Sequence, residues 1–231
     1  MAKKKLLNNP YIDLKPDELL QLAIKTKDIQ EKNLIEEIIS DNSMLSYKYA
    51  MDYLHERFLK GEPKICKIDN NYFLLNYLKV LVCKRWEIAE PTFAKRPDTA
   101  FSYAEYLKAP FPLGEPKIAK VSTWAFRYAT EILKRRWPEG EEGIAKGIEN
   151  SYFYAKFLNK NFGINRFEKG EPTLMKNASY AFHYAKNILK ARWIEAEPYI
   201  EQHEHFGKHY KRFLEILESK EAYINSDEEL I

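Results

Sequence analysis

With 231 residues, of which 31% are charged and 45% hydrophobic, the chain is long enough to bury a sizeable core and polar enough to be soluble. A net charge of +3 does not by itself point to nucleic acid, and a total of 8 glycines argues against a protein built on hairpin turns. No run approaches the ~20 apolar residues of a membrane span, and the start MAKKKLLNNP has no apolar stretch of the kind a secretory signal needs. A cytoplasmic protein with Cys66 and Cys83 as reduced thiols is therefore the expectation.

The first elements lie in residues 11–40, where PDELLQLAIKT and DIQEKNLIEEIIS space their apolar residues as helices do. We read residues 1–41 as an N-terminal helical cap. From residue 42 to residue 202 the sequence repeats itself. KRWEIAEP at 84–91 returns as RRWPEGEE at 135–142 and as ARWIEAEP at 191–198. Aligned on a glutamate, the joints are Glu62, Glu90, Glu115, Glu141, Glu171 and Glu197. Four residues before each stands an aromatic: Phe58, Trp86, Phe111, Trp137, Phe167 or Trp193. Five before stands Arg57, Arg85, Arg136, Arg166 or Arg192, with Pro110 as the exception. The residue before the glutamate is Gly or Ala, and the residue after it is Pro everywhere except Glu142.

Upstream of each joint lies a tyrosine: Tyr49, Tyr77, Tyr103, Tyr128, Tyr154 and Tyr184, at intervals of 28, 26, 25, 26 and 30 residues. The third repeat is one residue short, and the fifth carries four extra residues, about one helical turn. Each repeat reads as one long and one short helix. In STWAFRYATEILKRRW, Ala125, Tyr128 and Ile132 form one helical row and Phe126, Ala129 and Leu133 form the next. The small residue at the joint suits a tight turn, and proline after glutamate suits the first position of a helix. The short helices then each bury one apolar residue: Ile65, Phe93, Ile118, Ile144, Leu174 and Ile200.

Units of this size cannot bury such faces alone, whereas stacked units can. The expected fold is all-α, an α-solenoid of six two-helix repeats with helical caps. Residues 199–219 supply the closing helix, so that 203–231 form the C-terminal cap with an acidic tail, SDEELI. The pattern carried by YAKNILKARWIEAEPYI at 184–200 and YATEILKRRWPEGEEGI at 128–144 resembles a tandem repeat of hypothetical proteins from large tailed bacteriophages. The resemblance covers residues 42–202. It implies a phage or prophage origin and the cytoplasm of an infected bacterium, and it carries over no catalytic residues.

Three features invite a functional reading. Lys84, Arg85, Lys134, Arg135, Arg136, Lys190 and Arg192 recur at the same place in their repeats and form a candidate binding edge, with aromatic residues interleaved as single-stranded nucleic acid would need. Glutamates beside them oppose that reading. The structural alternative is an Arg–Glu pair that joins successive repeats, with Trp86, Trp137, Trp193, Glu90, Glu141 and Glu197 as structural joints. The tyrosines could line a groove or lie in the core with one hydrogen-bond partner each. Glu201, His205 and His209 share a helical face at a spacing able to hold a metal, although Gly207 is expected to interrupt that helix. Lysines also cluster at positions 3–5. No nucleotide-binding or nucleophile motif is present. The expectation is a non-enzymatic protein without cofactor, engaging a host or phage protein, with weak nucleic-acid binding along the basic edge as the alternative.

Overall fold

In the computed structural model, which describes residues 9–228 with side chains as far as residue 219, every regular element among the described residues is a helix. The lysines at 3–5 lie outside the described residues. The acidic tail is helical as far as Glu228 and otherwise lies outside them too. The chain divides into two compact units, Met1–Leu107 and Lys108–Ile231.

In the first unit, α1 (Pro16–Lys25) and α2 (Ile29–Ser40) pack on each other. The Asp28 side chain caps α2 by accepting the Glu31 N–H. There follow α3 (Ser43–Lys48), α4 (Glu62–Ile65), α5 (Asn71–Tyr77), α6 (Glu90–Phe93) and α7 (Pro97–Leu107). The second unit holds α8 (Glu115–Ile118), α9 (Ser122–Arg127), α10 (Pro138–Ile144), α11 (Ile148–Phe162), α12 (Glu171–Leu174), α13 (Ala178–Tyr184), α14 (Glu197–Glu201) and α15 (Glu204–Glu228). Long helices pack on their successors, α9 on α11, α11 on α13 and α13 on α15, with the short helices between them. Asparagine begins several long helices: Asn42, Asn70 and Asn177 each accept a main-chain N–H of the first turn.

The core is the repeated pattern itself. All six anchor tyrosines are fully buried, as are the residues that follow them, Ala50, Leu78, Ala104, Ala129, Ala155 and Ala185. So are the six apolar residues of the short helices, Ile65, Phe93, Ile118, Ile144, Leu174 and Ile200. The joint aromatics Phe58, Trp86, Phe111, Trp137, Phe167 and Trp193 are buried as well.

The long helices are not α-helical throughout. Four widen to π-helix at or just after the tyrosine: Tyr49–Leu54, Leu78–Val82, Tyr128–Leu133 and Ala185–Leu189. Each of these ends in a left-handed residue six positions after the tyrosine: His55, Cys83, Lys134 or Lys190. In α7 the left-handed residue, Lys108, comes five positions after Tyr103, and the helix stays α. In α11 it is Gly163, nine after Tyr154, and the helix again stays α. The difference of four between those two is about one α-turn, which preserves the exit direction. A difference of one would rotate the exit by about 100°, and the π-turn absorbs that extra residue.

At every joint the N–H of the small residue closes a tight turn onto the carbonyl of the aromatic three before it, and glycine and alanine share one right-handed conformation there. Two local expectations need correction. Gly207 does not interrupt its helix but lies buried inside α15, where a Cβ would meet the Glu201 carbonyl at 2.9 Å. Finally, the closing segment is two helices, α14 and α15, rather than one from residue 199.

Candidate binding surface

At each complete joint an arginine ends the descent from the long helix and turns back onto the glutamate five residues on. Nε lies 2.6 Å from the carboxylate at Arg57–Glu62, Arg85–Glu90 and Arg192–Glu197, 2.7 Å at Arg136–Glu141 and 2.8 Å at Arg166–Glu171. Four of these pairs are two-pronged, with an Nη2 bond to the second oxygen. The glutamate's hydrogen bond raises the pKa of each of these arginines, Arg57, Arg85, Arg136, Arg166 and Arg192.

The pair does not link repeats, as expected from the sequence; it closes within one joint. The link is the tyrosine of the next long helix. Its hydroxyl oxygen accepts the main-chain N–H of the preceding joint's aromatic: Phe58 to Tyr77, Trp86 to Tyr103, Phe111 to Tyr128, Trp137 to Tyr154, Phe167 to Tyr184. The same hydroxyl then donates to that joint's glutamate, at 3.2 Å for Tyr77–Glu62, 3.1 Å for Tyr103–Glu90, 2.9 Å for Tyr128–Glu115 and 3.0 Å for Tyr184–Glu171. Tyr77, Tyr103, Tyr128 and Tyr184 therefore have two partners each rather than the single one expected, whereas Tyr154 has the one, the Trp137 N–H. Burial is the main cause of their raised pKa values, which reach about 12 at Tyr103 and Tyr154. Glu62 collects a further donor, the indole of Trp86 at 3.3 Å.

Two members of this system, Tyr210 and Glu36, lie outside the columns read from the sequence. Tyr210, fully buried on α15, accepts the Trp193 N–H at 2.9 Å and donates to Glu197 at 3.3 Å. At the other end Tyr49 donates to Glu36 of the cap helix α2, at 3.2 Å. Both obey the interval of 13 residues from glutamate to tyrosine, which is the spacing that would have found them.

The candidate basic edge fares differently residue by residue. Arg85, Arg136 and Arg192 are held by Glu90, Glu141 and Glu197. Lys134 and Lys190 are the left-handed residues that end their helices, and with Lys84 and Arg135 they are exposed. Trp86, Trp137 and Trp193 are buried and offer no stacking face to a base. A groove of about 300 Å³ lies between Arg136 and Arg166, but Glu141, Glu168 and Lys169 share its lining, and Lys169 reaches Glu142 at 3.2 Å.

His203 and His205 lie against Phe206, and the His205 and His209 rings are 4.5 Å apart. Among the described residues no three His, Cys, Asp or Glu side chains gather as they would round a metal ion. Cys66 and Cys83 are both free thiols. Among the described residues no helix is long and apolar enough to cross a membrane.

A second recurrent cation stands at the other end of the long helices. Lys67, Lys95, Lys120, Lys146 and Lys176 each lie five residues after the joint glutamate, between a short helix and the next long one. All five are exposed, and among the described residues none is in an ion pair.

The fold and its joints define an all-helical protein whose repeated polar residues form internal latches. No protein-family model matches the chain, and comparison with curated proteins and with solved structures found no match.

Proposed function

We propose that the chain is a non-enzymatic binding scaffold, an α-solenoid of six two-helix repeats between helical caps, that engages a protein partner. The observation that supports this reading is the occupation of the joints. The groups best suited to chemistry, the joint arginines, glutamates and tyrosines, are tied to one another, and the buried hydroxyls of Tyr77, Tyr103, Tyr128, Tyr184 and Tyr210 have two bonds each. What recurs at the surface is charge carried on exposed loops, the material of a recognition surface rather than of an active site. The repeat resemblance adds a bacteriophage origin, action in the cytoplasm of the infected bacterium, and a host protein as partner, such as a component of antiviral defence.

Affinity capture from a bacterial host lysate, with and without nuclease, tests the reading. A stoichiometric protein that survives nuclease treatment is expected. Capture of nucleic acid alone, still bound at physiological salt, would overturn it, because binding through a few surface cations falls steeply with ionic strength.

A further inference from the structure

We propose that Lys120, Lys146 and Lys176 of the second unit form a docking strip for an acidic protein segment; Lys67 and Lys95 hold the same position of the pattern in the first unit. This deepens the scaffold reading and rests on it.

The placement has no structural reward. Each lysine comes just ahead of the N-terminal end of a long helix (α5, α7, α9, α11 or α13), the end whose macrodipole disfavours a cation. Lys146 Nζ reaches only the Lys120 carbonyl, at 3.4 Å, so the two loops are neighbours, and both lysines are exposed. Helices α11 and α13, which follow Lys146 and Lys176, also pack on each other. Packed helices lie ~8–10 Å apart, so successive ammonium groups repel at about that spacing. Arginines at the joints have glutamate partners; these lysines have none among the described residues. The column also stops at the caps. Asp41 holds the equivalent position before Tyr49, bound by Lys64 at 2.6 Å, and Gln202 holds it before Tyr210. Repeats carry the charge and caps do not.

Charge density selects the partner. One cation per helical layer is sparse beside duplex DNA, which presents a charge every ~1.7 Å. The exposed carboxylates Asp69 and Glu149 lie within three residues of Lys67 and Lys146 and would repel a dense polyanion. Lysine also lacks the fork with which arginine grips phosphate. An α-helix with carboxylates two turns apart repeats every ~10 Å, close to the layer spacing. Beside Lys176 a groove of about 320 Å³, lined by Met175, Tyr199 and His203, can take an apolar side chain flanking the acidic ones.

The test uses the full chain with a labelled helical peptide that carries a glutamate at every seventh position and, separately, labelled oligothymidine, at low ionic strength. Wild type should bind the peptide, and Lys120→Glu/Lys146→Glu/Lys176→Glu should weaken binding by about tenfold or more, a loss on the scale of ~1.4 kcal/mol. The Lys→Gln triple variant should fall between them, and Lys134→Glu/Arg135→Glu should bind as wild type does. Equal peptide binding by wild type and the triple reversal, or no binding by wild type, would overturn the proposal. So would tighter binding of oligothymidine through the same three lysines, which would make the strip a nucleic-acid site. Lysate capture separates this inference from the reading beneath it: a partner retained equally by wild type and reversal leaves the scaffold and removes the strip, whereas no partner for either removes the scaffold.

Discussion

The two ends of a long helix in the second unit carry similar charge to opposite effect. At the C-terminal end of α9 and its π-turn, Arg136 is bound to Glu141, a carboxylate whose side chain is 2% exposed. At the N-terminal end, Lys120 is exposed and without an ion-pair partner among the described residues. A cation beside a helix C-terminus and a buried carboxylate stabilises the fold; a cation ahead of an N-terminus does not. The contrast teaches that recurrence alone does not mark function. Where a recurrent charge has a recurrent partner it belongs to the architecture, and where it lacks one the fold gives no account of it.

The largest effect should come from the joint aromatics. Trp137→Ala empties a fully packed site and should cost ~3–5 kcal/mol in a denaturant titration. A variant that unfolds as wild type does would mean that the joint is not a core. Next comes the contrast between latch partners. Glu171→Ala strands the Tyr184 hydroxyl and the Arg166 guanidinium and should cost ~1–3 kcal/mol. Arg166→Ala, whose side chain is 48% exposed, should cost ~0.2–1 kcal/mol. The joint at Glu115 supports that ranking, since it has Pro110 in place of arginine and still binds Tyr128. Equal losses would place the arginine, not the tyrosine, at the centre of the latch.

Alkaline pH probes all joints together. Tyr103, Tyr154 and Tyr210 are raised to about 12 from 10.0, chiefly by burial. The unfolded chain then loses these protons before the folded one does. Stability from the latches is complete below pH 10 and is lost as pH rises toward 12, so thermal melts should drop steeply in that window. A flat profile across it would show the hydroxyls to be solvated. The smallest effect is a gain. Lys134 sits at φ 51°, a left-handed conformation that glycine adopts freely, and Lys134→Gly should stabilise by up to ~1 kcal/mol. A loss there would mean that its side chain does something the joint needs.

Much of this was legible in the sequence because the core repeats. The tyrosine and aromatic columns and the single apolar residue of each short helix all emerged from spacing, and all are buried. The direction of the links did not. An arginine five residues before a glutamate reads equally well as a bridge within a joint or between joints, and only geometry decides. The π-turns hid in a difference of one residue, which sequence shows as an interval and not as a conformation. Tyr210 lacks the alanine that follows most anchors, so it passed for part of a solvated cap helix. The lysine strip was overlooked because a search for runs of basic residues favours KRR over single lysines at repeat spacing. Of the candidate edge, Arg85, Arg136 and Arg192 proved to be latch members and Lys134 and Lys190 helix terminators, while Lys84 and Arg135 are exposed.

The latch itself is tested most directly by a double-mutant cycle on Glu171 and Tyr184, whose side chains meet at 3.0 Å in the core. Stabilities of Glu171→Gln, Tyr184→Phe and the double variant give the coupling free of effects that each substitution has on Arg166 or Phe167 alone. The double variant should be less destabilised than the sum of the single ones, by ~1 kcal/mol or more. Strict additivity would refute the latch, leaving the tyrosine column as packing and the glutamate as a partner of arginine only.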